Sequence, residues 1–450
     1  MNPGRSISCR EFFMAYLVLG LFSAALVLCI ISGRSILYAL CAGLLLFLMY
    51  GRRQGKSWND LIHFCLRGIK GSRNIFLNFL FIGLLTASWR AAGTIPLIVS
   101  ACGAVIRPSV FLLLAFVFNS AVSVLTGSSF GTSATMGVIT VTMAGAMEVS
   151  PVFAGGAALA GAYFGDRMSP VATSAILVSE LTQTDIYDNL KRMARTAAVP
   201  FAASCLIHLA MGFFMHHGTG RMDLYSLYAG EFVMSPWCVL PAVLMIVLAL
   251  QRLNVKIIMG GSIAAAVVTA AVVQHASLWE LLRCLWRGYR AADPAIASMI
   301  DGGGIVSMFR SACILALTTA CSGIFRETDL LDGLHGWTAR LSKKLTPFGA
   351  AFVASAGASA IACNQTLAVI MTHQLCGDLF ENKSEAALAL EDSAVIVCTY
   401  WPWSIAAATP LSSMGVPDSA ILGAFFLFLL PLWHFLTDIR KAPDRTRRSS

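Results

Sequence analysis

Apolar stretches approaching or reaching the ~20 residues that cross ~30 Å of hydrocarbon recur along this chain, and they leave it few ways to fold. FFMAYLVLGLFSAALVLCIIS (Phe12 to Ser32), VLPAVLMIVLAL (Val239 to Leu250) and AILGAFFLFLLPLWHFL (Ala420 to Leu436) set the pattern. With 57% hydrophobic and 12% charged residues and a mean hydropathy of +0.74, a soluble fold is excluded. The expectation is an all-α polytopic membrane protein with no separate soluble domain. The first run is too long for a signal-peptide core and lacks a clear A-x-A site, so it reads as a retained helix.

The charges give the orientation. RRQGK (Arg52 to Lys56) with Arg67, Lys70 and Arg73, then KRMAR (Lys191 to Arg195), then RKAPDRTRR (Arg440 to Arg448) gather the basic residues in short loops and a tail. A net charge of +9 distributed this way follows the positive-inside rule and gives no basic face for nucleic acid. Both termini are expected on the cytoplasmic side of the plasma membrane. The 13 cysteines never form C-x-x-C and sit mostly in apolar runs, so neither a disulfide framework nor a zinc site is expected. LWELLRCLWRGYR (Leu278 to Arg290) sets Leu and Trp against three arginines at helical spacing, the pattern of an interfacial helix.

Two pairs of interruptions stand out. TMGVI (Thr135 to Ile139) overlays TLAVI (Thr366 to Ile370), and Pro170 overlays Pro402, at an offset of 231 to 232 in both places. This divides the chain into N-terminal helices and a loop (1–74), a first repeat (75–215), connecting helices (216–304), a second repeat (305–437) and a basic tail (438–450). Paired broken helices in two halves point to a transporter site near the midplane, because unpaired backbone survives at membrane depth only where it is buried or lines a cavity.

The first break, NSAVSVLTGSSFGTSATMG (Asn119 to Gly137), offers Ser128, Ser129, Thr132, Ser133 and Thr135 beside Gly127, Gly131 and Gly137. A dehydrated cation or small polar solute needs such oxygens; a helix contact built from small residues is the competing reading. The second break, GAYFGDRMSPVATSA (Gly161 to Ala175), places Asp166 between apolar runs, with Ser169, Thr173 and Ser174 around Pro170. A carboxylate at that depth is presumed functional. It can bind Na⁺ when ionised and release it when protonated, whereas an Asp–Arg pair at a membrane edge would be merely structural. Arg167 should point away, since adjacent helical residues do not share a face. In the second half, Asn364, Gln365 and Thr366 supply uncharged donors and acceptors. Glu391 and Asp392 are expected near a surface, and Trp401 and Trp403 either stack over a solute or belong to an interfacial belt.

At these segments the chain resembles the NhaC-type sodium/proton antiporter family of the ion transporter superfamily. The likeness runs through WRAAGTIPLIV, LTGSSFGTSATMGVI, GAYFGDRMSP, DGGGIVSMFRSACILALTTACSGIF and LEDSAVIVCTYWPWS, in order, from about 75 to 435. It implies two inverted repeats with broken or re-entrant helices, a scaffold and a moving transport bundle of elevator type, and exchange of Na⁺ for H⁺ or coupling of one of them to a small solute. No cofactor is implied; the partners are the bilayer and a small cation or solute, with a homodimer as an admissible assembly. One departure matters: the family pattern after FGDRMSP carries a second carboxylate, roughly SPLSDTT, where this chain has Thr173. A lone Asp166 makes a weaker cation site, so transport of an organic anion or amino acid competes. An intramembrane aspartyl protease is disfavoured, because Tyr163 stands where the first Gly of G-x-G-D belongs, and no Walker A, dinucleotide or H-E-x-x-H motif occurs.

Overall fold

The computed structural model describes residues 34–214, 224–251, 253–326, 341 and 345–448, with scattered positions between 14 and 32. The expected first helix is therefore described only at scattered positions, and positions 215–223 of the polar connection and the last two residues lie outside the described residues. A helical pair, α1 (Ile36–Arg53) and α2 (Trp58–Gly71), precedes α3 (Arg73–Ala91) and α4 (Thr94–Val105). Next come α5 (Pro108–Thr126), a short α6 (Ser129–Thr132) that passes through a π turn (Ser133–Gly137) into α7 (Val138–Ala146), then α8 (Pro151–Met168), α9 (Thr173–Thr182) and α10 (Ile186–Phe214). The middle holds α11 (Leu224–Ala229), α12 (Leu240–Leu250), α13 (Val255–Val272), α14 (Leu278–Arg287) and α15 (Pro294–Ile300). The last third comprises α16 (Phe309–Arg326), α17 (Pro347–Ala362), α18 (Gln365–Cys376), α19 (Lys383–Asp392), α20 (Ala394–Val397), α21 (Ile405–Met414) and α22 (Phe425–Arg448). The basic segment expected as a tail thus continues the last helix as far as Arg448.

Local sequence explains the boundaries. Pro108, Pro151 and Pro347 open their helices at positions where a missing N–H costs nothing. Ser57 with Asp60, and Ser277 with Glu280, form capping boxes that start α2 and α14. In the second of these, Glu280 accepts from the Ser277 backbone and hydroxyl, which holds its carboxyl below the usual carboxylate range. The helix that follows exposes Leu278, Trp279, Leu282 and Trp286, as its amphipathic pattern predicts.

Among the described residues five helices are long and apolar enough to cross a membrane, and Lys383–Tyr400 with Ile405–Met414, bent by 57°, is a broken span or a re-entrant pair. The protein is an all-helical, multi-pass membrane protein. Its outer helices expose Leu206, Phe213, Val243, Ile246 and Val272, residues that lipid solvates without penalty. Inside, α8 lies close against α5 because Gly161 and Gly165 face it. A Cβ at Gly161 would sit 2.6 Å from the Phe116 carbonyl. The same seam is fastened by Ser123 Oγ donating to the Ala162 carbonyl at 2.5 Å, and Asn119 Nδ2 ties α5 to Thr140 on α7 at 2.9 Å. These contacts fix the end of α8, which carries Asp166.

Candidate functional site

Each half of the chain interrupts a helix twice, and the two halves do so in the same way. Gly127 ends α5 in the left-handed region (φ 64°), where a side chain would be strained, and Ser128 then extends (φ −146°, ψ 113°) to start α6. Cys363 ends α17 with φ 53°, and Asn364 extends (φ −146°, ψ 133°) to start α18. In both, the extended residue caps the next helix: Ser128 Oγ accepts from Gly131 N–H at 3.1 Å, and Asn364 Oδ1 from Thr366 N–H at 2.8 Å. The second interruptions correspond as well: Ser169 and Trp401 are both extended, and Thr173 and Ile405 open α9 and α21.

The register at the first break differs from the sequence overlay. Thr135 lies in the π turn, deep inside its half-helix, whereas Thr366 lies in the first turn of α18. The backbone match runs from Gly127 to Cys363, and the π turn is a local feature of the first half.

Asp166 occupies the last turn of α8 and is 5% exposed. Ser129 N–H donates to its Oδ1 at 3.4 Å, and Ser174 Oγ lies 3.3 Å from its Oδ2. The Gln365 side chain faces the same carboxylate from the other half of the chain, while its Nε2 donates to the Val395 carbonyl at 3.1 Å. Tyr163 OH ties the halves together by donating to the Ala406 carbonyl at 2.6 Å, and within the second half Ile405 N–H donates to the Cys363 carbonyl at 2.9 Å, joining its two breaks. Every hydrogen-bond partner of the Asp166 carboxylate among the described residues is neutral. Its neighbour Arg167 is fully buried and turned away, as expected for adjacent helical positions, and pairs with Asp392 of α19.

A cavity of about 520 Å³ joins the breaks. From the first half it is lined by Ser128, Ser129, Asp166 and Thr173, and from the second by Asn364, Gln365 and Thr366. Asn74, Asn254 and Lys256 line it as well, with Lys256 Nζ donating to Asn74 Oδ1 at 3.0 Å. One carboxylate, several hydroxyls and two amides in a half-wet recess are oxygen ligands for an alkali cation or hydrogen-bond partners for a small solute. Among the described residues, no three His, Cys, Asp or Glu side chains converge as a transition metal would need.

The remaining expected ligands do not line this cavity. Ser174 supports the carboxylate from behind. Thr132 Oγ1 pairs with Thr126 Oγ1 at 3.1 Å, and Thr135 Oγ1 donates to the Gly131 carbonyl at 2.8 Å. Ser133 and Ser169 are buried with hydroxyls that have no partner among the described residues.

One expectation is corrected, and one of two open readings falls away. Glu391 and Asp392 are not near a surface: they are 1% and 0% exposed, because Arg167 and His434 supply Asp392 with partners inside the bundle. Trp401 and Trp403 do not stand over the cavity. Their rings pack on each other at 5.0 Å, and Trp403 Nε1 donates to the Ala360 carbonyl at 2.9 Å. Sequence reasoning also missed the lining residues Asn74, Asn78 and Lys256, which only the packing of α3 and α13 brings to the site.

The sequence model of the Na⁺/H⁺ antiporter family matches residues 161–432. The chain is 27% identical over 410 residues to the Na⁺/H⁺ antiporter NhaC of Alkalihalophilus pseudofirmus, covering 87% of each protein. It is 25% identical over 444 residues to the malate-2H⁺/Na⁺-lactate antiporter of Bacillus subtilis (95% of this chain, 93% of that one). It is 24% identical over 392 residues to the arginine/ornithine antiporter ArcD of Halobacterium salinarum (84% and 80%). With more than half of its length matched by the family model, and with its broken helices enclosing one cavity, this chain belongs to the Na⁺/H⁺ antiporter family.

Proposed function

We propose that this protein is a secondary active transporter exchanging Na⁺ for H⁺ across the plasma membrane, with Asp166 as the group that takes either ion. The observation that carries this reading is the isolation of Asp166. It is a buried carboxylate whose neighbouring guanidinium, Arg167, is committed to Asp392, so among the described residues its hydrogen-bond partners leave it without a counter-charge. A buried carboxylate needs a cation or a proton, and the cavity gives access to both. Ser128, Ser129, Thr173 and Gln365 would complete the shell of a dehydrated Na⁺.

Asn74 of the cavity lining follows directly on Arg73, on the side that the basic loops mark as cytoplasmic, so in this reading the cavity opens toward the cytoplasm. Alternating access would then move the paired broken helices as a bundle against a scaffold formed by the other helices. Both termini lie on the cytoplasmic side in this reading.

A second reading has its own support. The cavity is many times larger than the ~30 Å³ of one water, and Thr173 replaces a family carboxylate, so an organic anion or amino acid coupled to Na⁺ or H⁺ would also fit. Uptake of ²²Na⁺ into proteoliposomes under an imposed pH gradient, with and without excess malate, lactate, arginine or ornithine, separates the two. Gradient-driven uptake indifferent to solutes supports Na⁺/H⁺ exchange. Uptake that requires one of them supports the second reading, and no uptake under any condition rejects both.

A further inference from the structure

Behind the amphipathic helix α14 lies a second cavity, of about 570 Å³, to which the exchange of ions gives no task. It is bordered by α14 and the turn that follows, and by Ala91 at the end of α3. Three guanidiniums line it, Arg283, Arg287 and Arg290, together with two carboxylates, Glu231 and Glu280. Neither acid bonds a guanidinium. Glu231 accepts from Tyr289 OH at 2.7 Å and from the Ala292 and Asp293 N–H groups at 3.0 Å, and Glu280 accepts from the Ser277 backbone and hydroxyl at 2.8 Å. Among the described residues none of the three arginines has a hydrogen-bond or ion-pair partner. A fourth guanidinium, Arg90, precedes Ala91 of the lining. It is 8% exposed, its Nη1 donates to the Thr86 carbonyl at 3.0 Å, and its Nε has no partner.

The position makes this surplus of positive charge unusual. Helix α3 starts at Arg73, on the side read above as cytoplasmic, and Ala91 is its other end; there Gln274, beyond α13, donates to the Ala92 carbonyl at 3.4 Å. In that orientation the cavity lies at the outer surface, where loops of membrane proteins are poor in Lys and Arg. On the face adjoining Arg283 and Arg287, α14 exposes Leu278, Trp279, Leu282 and Trp286, which seats the helix at the boundary between headgroups and acyl chains. Apolar side chains beside guanidiniums that lack an anion match the two parts of an acidic lipid. We propose that this cavity holds the phosphodiester headgroup of an anionic phospholipid, with Arg283, Arg287 and Arg290 as its donors and the acyl chains along the Trp279 and Trp286 face. A guanidinium presents paired N–H groups that suit phosphate oxygens, and basic pockets at the ends of membrane helices take such headgroups. The choice of the outer leaflet rests on the orientation proposed above; the site itself rests neither on Asp166 nor on the transported ion. The lipid would brace the scaffold, because Tyr289 N–H donates to the Gly302 carbonyl at 2.9 Å and Gly304 N–H to the Gly83 carbonyl of α3 at 2.9 Å.

The test is lipid retention by the purified full-length protein. After incubation in detergent with equal amounts of phosphatidylglycerol and phosphatidylcholine, followed by gel filtration, the bound lipid is measured by mass spectrometry. Wild type should retain phosphatidylglycerol in preference. Each Arg beside an anionic headgroup is worth about fivefold in affinity, so Arg283→Gln lowers the preference about fivefold and the triple variant Arg283→Gln, Arg287→Gln, Arg290→Gln lowers it further. All three side chains are exposed and none belongs to the Ser277–Glu280 capping box, so the variants should fold. A control, Lys191→Gln with Arg192→Gln and Arg195→Gln, removes as many charges from another exposed basic segment and should lower the preference far less. No preference in wild type overturns the proposal, and so does a wild-type preference in the triple variant. An equal loss in the control overturns it as well, since retention would then follow general surface charge. Soluble glycerol phosphate that protects wild type from thermal unfolding as fully as the lipid does would make this a site for a free anion and would reject the lipid. None of these readings depends on transport, so their failure leaves the exchange of ions untouched.

Discussion

Asp392→Asn should be among the most damaging substitutions in the protein, and for a reason unrelated to ion binding. Arg167 and Asp392 are both fully buried and in direct contact across two broken elements. Arg167 keeps three other acceptors, Thr196 Oγ1 at 3.2 Å, the Met193 carbonyl at 3.4 Å and Met168 Sδ at 3.7 Å, but all are neutral. Removing one partner of a buried pair costs about 3–5 kcal/mol, because the other charge is left uncompensated. Arg cannot shed its charge, whereas a stranded Asp can take up a proton, so Asp392→Asn should cost more than Arg167→Met. The double variant Arg167→Met with Asp392→Leu removes both charges and should recover most of the loss, since well-packed apolar replacements of buried pairs are often near neutral. Thermal unfolding of the three purified variants, followed by the midpoint of aggregation or tryptophan emission, measures the order. The reasoning is refuted if Asp392→Asn unfolds within about 1 kcal/mol of wild type, or if the double variant is worse than either single one.

Three further outcomes follow from named contacts. Thr173→Asp adds a carboxylate at an exposed position on the cavity wall, where little desolvation opposes it. At ~4 Å one charge pair is worth about 1–4 kcal/mol, so Na⁺ affinity by calorimetry should rise at least about fivefold, and an unchanged affinity would remove Thr173 from the cation's surroundings. Asn364→Ala deletes the cap of α18 and should cost about 1 kcal/mol, seen as roughly fivefold faster hydrogen exchange at Thr366 and Leu367, while Asn364→Asp keeps the acceptor and the protection. The Glu280 carboxyl is depressed in the folded state, so its stabilisation of α14 is complete at neutral pH and fades as the pH falls below about 4.3; Ser277→Ala should abolish that pH dependence in exchange rates over 278–287, corrected for intrinsic rates.

What the sequence disclosed and what it hid divide along physical lines. Breaks were legible because they need particular residues: Gly127 for its left-handed turn, Pro170 for a stop, Ser128 and Asn364 for caps. Asp166 was legible because a carboxylate between apolar runs has few innocent explanations. The repeat register at the first break was not, because the overlay set Thr135 on Thr366 at an offset of 231, whereas the helix ends match Gly127 to Cys363 at 236, and small-residue runs of similar composition align at either. Glu391 and Asp392 looked like a surface pair, following Lys383 and Glu385 on a short helix. Their burial depends on Arg167 and His434, which are distant in sequence and become partners only when the two halves pack. Trp401 and Trp403 were ambiguous for the same reason, since tryptophans at the end of an apolar run suit a solute-facing wall and an interfacial belt equally well, and their packing on each other appears only in the fold.

The central claim is that Asp166 exchanges a cation for a proton. It is tested most directly by reconstituting the wild type and Asp166→Asn in liposomes that enclose a pH-sensitive dye, and adding a pulse of Na⁺ outside. The account predicts a change in internal pH in wild-type vesicles that is lost in Asp166→Asn at equal folded protein; a response of wild-type size in the Asn variant would contradict it.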